Sequence, residues 1–270
     1  MILKLYIDNW RQYAPWPSSA MVEQDLIISR ALVCMYQHPK IRSSLLFRGG
    51  TALNKLYIKP PARYSEDLDF VQVNAEPIGE TIDAIRSVLD TWLGIPKRKM
   101  TERSVKLTYK YQTIDNIAAK LKVEINTTEH FNVLEPVDYD FRVDSKWFSG
   151  DSVICTYHID ELMATKIRAL YQRRKGRDLF DIWHVITHDL FNLEKSLGIL
   201  EKYNKYNKQN ITRAMFEQSF FEKQQDAGFR NDTVGLLPVD YDWSFDHACE
   251  LVWNKIFPLM KGEGWKNDKK

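Results

Sequence analysis

The five residues Asp67-Leu68-Asp69-Phe70-Val71 alternate polar and apolar side chains, and a period of two fits a half-buried strand. Successive side chains of a strand point to opposite faces, so Asp67 and Asp69 project together while Leu68 and Phe70 enter a core. Two like charges side by side repel, and a cation between them removes that penalty. Hard carboxylate oxygens suit magnesium, which keeps some water and recruits substrate phosphates to complete its octahedron. A solvated edge strand would carry the same Asp-x-Asp, so the pair alone does not assign a function.

The neighbouring segments predict a mixed sheet with helices. Val22, Leu26, Ile27, Ala31, Leu32 and Met35 recur with helical period and predict a helix over 21–38 that Pro39 ends. Leu45-Leu46-Phe47 reads as a short strand stopping at Gly49-Gly50, after which Ala52, Leu53, Leu56 and Tyr57 repeat at helical spacing. A helix is expected over 78–93, and the alternating stretches 105–111 and 121–125 predict two strands joined through Asp115-Asn116. From Ile159 helical periodicity takes over, through 162–171, 179–186, 193–203, 211–221 and 245–256, with a loose tail after Met260. The expected organisation is α+β: a mixed-sheet domain over 1–158, then a helical bundle over 159–270.

Bulk properties restrict the partners. The 270 residues are 44% hydrophobic and 27% charged, ordinary globular usage and enough chain to bury a core. A formal net charge of +2 gives no global field favouring nucleic acid or membrane, so a partner must be read from local clusters. The run Met1 to Trp10, broken by Lys4, Asp8 and Asn9, does not suit a secretory signal, and no long uncharged apolar stretch predicts a membrane span. The expected location is the cytoplasm. Cys34, Cys155 and Cys249 are widely spaced without a Cys-x-x-Cys pair, as expected for reduced thiols.

Gly49-Gly50-Thr51 lies between a predicted strand and a predicted helix, where glycine permits close backbone approach and free N–H groups form an anion site. A plain strand-to-helix turn has the same composition, and the chain lacks the Gly-x-x-x-x-Gly-Lys-[Ser/Thr] loop. Holding two metal ions about 3.5–4 Å apart calls for a third carboxylate. Glu124, in Lys122-Val123-Glu124-Ile125-Asn126, is the candidate, since it faces opposite to Val123 and Ile125. A charge on a solvent face is the competing reading.

Three stretches taken together resemble the AbiEii/AbiGii toxin family, whose members are similar to the minimal nucleotidyltransferases of the polymerase-beta superfamily. They are Arg48-Gly49-Gly50-Thr51-Ala52-Leu53, Arg63-Tyr64-Ser65-Glu66-Asp67-Leu68-Asp69-Phe70, and Lys166-Ile167-Arg168-Ala169-Leu170 followed by Arg173 to Asp181. The resemblance covers roughly Ser44 to Trp183. It implies a nucleotidyltransferase-type mixed sheet and the toxin of a toxin–antitoxin or abortive-infection pair, with a separate antitoxin. The implied reaction transfers a nucleotide from a nucleoside triphosphate to an RNA acceptor, tRNA in the better understood members. It implies a phosphate-binding role for Gly49, Gly50 and Thr51, metal binding with Mg2+ for Asp67 and Asp69, and a triphosphate contact for Lys166. Asp178 and Asp181 match a fourth motif, as base or scaffold. The nucleotide would lie in a cleft completed by the helical domain.

Other readings stay open. Lys166, Arg173, Arg174, Lys175 and Arg177 crowd a helix end, where cations also offset the macrodipole, and Asp178 after Gly176 can cap the next helix. Lys166 is expected to be partly exposed between buried Met163 and Ile167. His184 and His188 have a zinc-compatible spacing, but Val185 stands where His-Glu-x-x-His has its Glu, and a polar helical face explains the pair without any metal. Arg98, Lys99, Arg103, Lys106, Lys110, Lys120 and Lys122, with Tyr109 and Tyr111 interleaved, fit either a nucleic-acid track or a solvated hairpin. A catalytically silent nucleotide- or RNA-binding module acting through a partner, and a transferase that modifies a protein hydroxyl, are the alternatives to RNA transfer.

Overall fold

The computed structural model describes residues 2–266, which fall into two compact units. The first runs to His158 and includes Leu236–Val239, and the second comprises Ile159–Gly235 and the chain from Asp240. In the first unit, α1 (Lys4–Trp10), α2 (Ser19–Tyr36) and α3 (Pro39–Ser44) precede β1 (Leu45–Arg48). The Ser18 hydroxyl accepts from the Met21 N–H and starts α2. Pro39 does not end α2, which stops at Tyr36. It opens α3, where a missing N–H and a fixed φ suit the first helical turn.

The short α4 (Gly49–Ala52) continues as a π-helical turn, Leu53–Tyr57. Then come β2 (Asp67–Gln72), α5 (Gly79–Leu93), β3 (Lys97–Met100), β4 (Ser104–Gln112), β5 (Ala118–Asn126), β6 (Val137–Asp144) and β7 (Ser149–Thr156). The seven strands form one sheet in the order β3-β4-β5-β2-β1-β7-β6. The β2–β5 and β1–β7 pairs are parallel and the others antiparallel, the mixed sheet expected of this α+β fold. Asn116, in the turn between β4 and β5, has φ 56°, a left-handed conformation that asparagine tolerates.

One sheet face is covered by helices. Leu68, Phe70, Val105, Leu107, Tyr109, Val123 and Ile125 are all at most 1% exposed there, and burying each large apolar side chain contributes about 1.5–3 kcal/mol. The Tyr109 hydroxyl donates to Asp90 of α5, and the Tyr111 hydroxyl donates to Gln24 of α2. Both tyrosines therefore serve the core side of the hairpin.

The second unit is helical: α6 (Ile159–Gln172), α7 (Gly176–Thr187), α8 (Leu193–Tyr206), α9 (Arg213–Gln224), α10 (Ala227–Arg230) and α11 (Phe245–Leu251), which continues through a π turn, Val252–Ile256. Asn192, Thr212, Asp226 and Ser244 each accept a backbone N–H at the start of α8 to α11 in turn. The segment after Met260 is not loose as far as it is described. The Trp265 N–H donates to Glu217 at 2.5 Å and its ring lies 5.2 Å from that of Phe221; residues 267–270 lie outside the described residues. Among the described residues, no helix is long and apolar enough to cross a membrane. All three cysteines are free; Cys249 is buried, and Cys34 and Cys155 are half-buried.

Candidate active site: carboxylates on the open face of the sheet

Strand register brings Asp67, Asp69 and Glu124 together. Asp69 pairs with Glu124 of β5 on one side and with Arg48 of β1 on the other, and Asp67 pairs with Lys122. Residues in register share a face, so one row reads Lys106-Glu124-Asp69-Arg48 and the next Thr108-Lys122-Asp67. This is the face opposite the helix-covered core. The Asp67 and Glu124 side chains keep 35% and 36% exposure, so both meet solvent.

Each carboxylate has a cationic neighbour. The Lys122 ammonium lies 3.1 Å from both oxygens of Asp67, and that of Lys106 lies 2.8 Å from Glu124 Oε2. Arg48 is beside Asp69 in register and bonds Glu129 at 3.1 Å. Burial opposes the Arg48 charge, but Tyr157, Glu129 and Asp69 outweigh it and raise the guanidinium pKa.

Gly49 and Gly50 are required by close approach. Gly49 has φ +82°, and a Cβ there would lie 2.6 Å from Asp69 Oδ2; a Cβ on Gly50 would collide with the Arg63 guanidinium. Arg63 is 2% exposed and held in place, its N–H donating to Asn54 and its Nη1 to the Tyr64 carbonyl. No side chain caps α4, and a buried cation, the Arg63 guanidinium, lies beside Gly50 of the turn. The buried Thr51 hydroxyl bonds the Asp67 carbonyl at 2.5 Å and Ser65 at 2.7 Å, which ties this turn to the start of β2. Its side chain serves structure, and only its backbone is available to a ligand.

Among the described residues, no group of three or more His, Cys, Asp or Glu forms a ready metal cage. The donor chemistry nevertheless fits magnesium, which takes one or two carboxylates and completes its shell with water and substrate phosphate.

The late motif lies in the second unit. Met163, Ile167 and Leu170 form the expected buried stripe of α6, but Lys166 is only 4% exposed and not partly exposed. The physical reason is a closed ion cluster: its ammonium lies 3.2 Å from Asp178 Oδ1 and 2.8 Å from Asp181 Oδ2. Arg173 grips Asp178 through two bonds, of 2.6 and 2.8 Å. Burial alone would raise the Asp178 pKa, and Lys166 and Arg173 more than reverse it, so the carboxyl is held below its usual range. Asp178 does not cap α7, because its oxygens are committed to these cations. Arg174 lies 3.7 Å from Asp226, and Lys175 and Arg177 each 3.6 Å from Asp232. Each of the five cations of the motif thus has an acidic partner. Gly176 is needed because a Cβ there would collide with the Phe229 carbonyl.

His184 and His188 stack with centroids 4.1 Å apart. The Tyr241 hydroxyl bonds His184 Nδ1 at 2.7 Å and His188 Nδ1 faces the His184 carbonyl at 2.8 Å, an arrangement explained by packing without zinc. From sequence, Arg48 stands out only within the resembling stretch and Lys106 and Lys122 only within the basic hairpin, while Glu129 carries no signal. Arg48 directly precedes the glycine turn, and Lys122 and Glu124 share a strand face by their spacing of two.

The family model described as "Nucleotidyl transferase AbiEii toxin, Type IV TA system" matches residues 30–251. Among solved structures, MenT4, a nucleotidyltransferase toxin from Mycobacterium tuberculosis H37Rv, is 13% identical at TM-score 0.59, covering 93% of this chain and 99% of that one. JHP933 from Helicobacter pylori is 19% identical at TM-score 0.50, covering 86% of this chain and 88% of that one. At these identities the likeness is one of fold. No curated protein matches the sequence at a significant level.

Proposed function

Because the chain belongs to the nucleotidyltransferase AbiEii toxin family, we propose that it transfers a nucleotide from a nucleoside triphosphate to an RNA hydroxyl, with Asp67, Asp69 and Glu124 as ligands for Mg2+. The observation that carries this reading is the register Arg48-Asp69-Glu124, which sets a carboxylate pair on adjacent strands beside the glycine turn. Bound magnesium would neutralise charge on the reacting phosphates. The chain's own groups then position the substrate: the N–H groups of Gly49, Gly50 and Thr51, beside Arg63, receive a phosphate, and Arg48 stands next to Asp69 as a fixed cation. The acceptor hydroxyl attacks the α-phosphorus in line and pyrophosphate leaves, chemistry that depends mostly on positioning and electrostatics.

Lys166 remains a candidate triphosphate contact, oriented by Asp178 and Asp181 as scaffold; a phosphate oxygen would have to replace one of these carboxylates. The acceptor reading rests on the lysines. Lys99 opposes Lys106 and Lys110 opposes Lys120 in register, and Lys97 and Lys122 share their face. Lys106 already has Glu124, but at Lys110 and Lys120 like charges directly opposite one another are destabilising unless an anion joins them, and a polyphosphate backbone is such an anion. Tyr109 and Tyr111 point to the other face, so recognition there is by backbone charge and not by base stacking. An RNA acceptor places the activity in the cytoplasm, with an antitoxin as its counterpart.

The test is to incubate the purified protein with total RNA, Mg2+ and each α-labelled nucleoside triphosphate in turn. Magnesium-dependent label in RNA, tRNA above all, supports the proposal. Label in protein, or none with any nucleotide, contradicts it.

A further inference from the structure

The open face of the sheet carries carboxylates and cations in alternation, and the cations are of two kinds. Arg48 is 21% exposed and anchored by Glu129, itself 17% exposed. Lys106 and Lys122 are 40% and 30% exposed and sit on long flexible stems. Lys122 spans both oxygens of Asp67 at 3.1 Å, and Lys106 reaches Glu124 at 2.8 Å. Both oxygens of Asp67 and one of Glu124 are thus engaged by an ammonium, on carboxylates through which a magnesium ion would bind.

From this we infer that Lys106 and Lys122 are built-in competitors of the metal, exchanging their carboxylates for substrate phosphate when the metal binds. The inference rests on the proposed metal site and concerns how that site is controlled. A metal ion and an ammonium on the same carboxylate repel each other, so metal entry weakens the hold of each lysine on its partner. The cost is small, because half-exposed ion pairs are weak and solvent replaces the lost partner. A freed ammonium beside a metal–triphosphate meets a phosphate oxygen as its next anion. Arg48, anchored by Glu129, has no comparable freedom. The design raises the metal concentration needed by the protein alone and lowers it when a triphosphate arrives with the metal, so metal and nucleotide load together.

Isothermal titration with Mn2+, then with tripolyphosphate at saturating Mn2+, tests this on the full chain. The proteins are the parent, Lys122→Met, Lys106→Met and Asp69→Asn, each checked for folding by circular dichroism. Each lysine variant is expected to bind Mn2+ about two- to fivefold more tightly, the strength of an exposed pair, and tripolyphosphate more weakly. A merely structural lysine would not move the two affinities in opposite directions. If Asp69→Asn loses Mn2+ affinity but both lysine variants match the parent or bind Mn2+ more weakly, the competition is refuted and the metal site stands. If the parent binds no Mn2+, or Asp69→Asn binds it equally well, the metal site and the competition both fail.

Discussion

Gly49 and Asp69 meet so closely that a Cβ on the glycine would lie 2.6 Å from Asp69 Oδ2 and 3.0 Å from its Cβ. The residue that turns β1 into α4 thereby sets where the proposed metal-binding carboxylate can sit. Gly49 also has φ +82°, unfavourable for alanine. Gly49→Ala is expected to lower stability by about 1–3 kcal/mol and to reduce nucleotide transfer more than tenfold by displacing Asp69. Thermal unfolding together with a transfer assay checks this; parental activity would show that Asp69 tolerates displacement.

Removing the Lys166 ammonium leaves Asp178 and Asp181 buried with one cation fewer. Breaking a buried pair in this way costs about 3–5 kcal/mol, so Lys166→Ala is expected to act on folding before it acts on nucleotide binding. Urea unfolding measures it. A variant of parental stability with lost triphosphate affinity would instead mark Lys166 as a ligand-contact residue free of structural duty.

The facing lysines make a salt-dependent prediction. Lys110→Glu with Lys120→Glu should weaken tRNA binding and lower the slope of log affinity against log salt by about one per lysine. Triphosphate affinity should stay unchanged, since neither residue borders Asp67, Asp69 or Glu124 in register. An unaltered tRNA slope would mean that the acceptor docks elsewhere.

Burial, with His188, pushes His184 down to about 4 against the opposing pull of Asp181. The folded value lies below the unfolded value of about 6.5, so the unfolded chain takes up the proton first. The His184 contribution is therefore complete above pH of about 6.5, falls as pH drops toward 4, and levels off below, a loss on the order of 3 kcal/mol. Urea midpoints across that window should fall less steeply for His184→Gln than for the parent. Parallel curves would contradict this.

Much of the arrangement of the candidate site was legible where periodicity and chemistry coincide. Asp67-Leu68-Asp69-Phe70 showed its two faces because the apolar partners enter a core, and Glu124 could be assigned by its opposition to Val123 and Ile125. The same period places Tyr109 and Tyr111 opposite Lys106 and Lys110, which excludes base stacking beside those lysines. Other features depend on register or tertiary partners. The Lys122–Asp67 and Lys106–Glu124 pairs exist only once β5 lies between β2 and β4. Lys166 resembled an exposed helical lysine because its two partners arrive on the next helix. The edge strand β6 went unpredicted because Asp138, Asp140, Arg142 and Asp144 lower its apolar content, although it keeps a period of two.

Asp69→Asn keeps the shape of the side chain and removes the charge that a metal ion would meet. The most direct measurement is transfer of α-labelled nucleotide to tRNA by this variant and the parent across a magnesium series, with folding verified by circular dichroism. Asp69 lies between Arg48 and Glu124 in register, so losing its charge should reduce transfer at least a hundredfold at every magnesium concentration while the fold persists. A folded Asp69→Asn protein that transfers nucleotide at the parental rate would contradict the assignment of Asp67, Asp69 and Glu124 as the metal-binding centre.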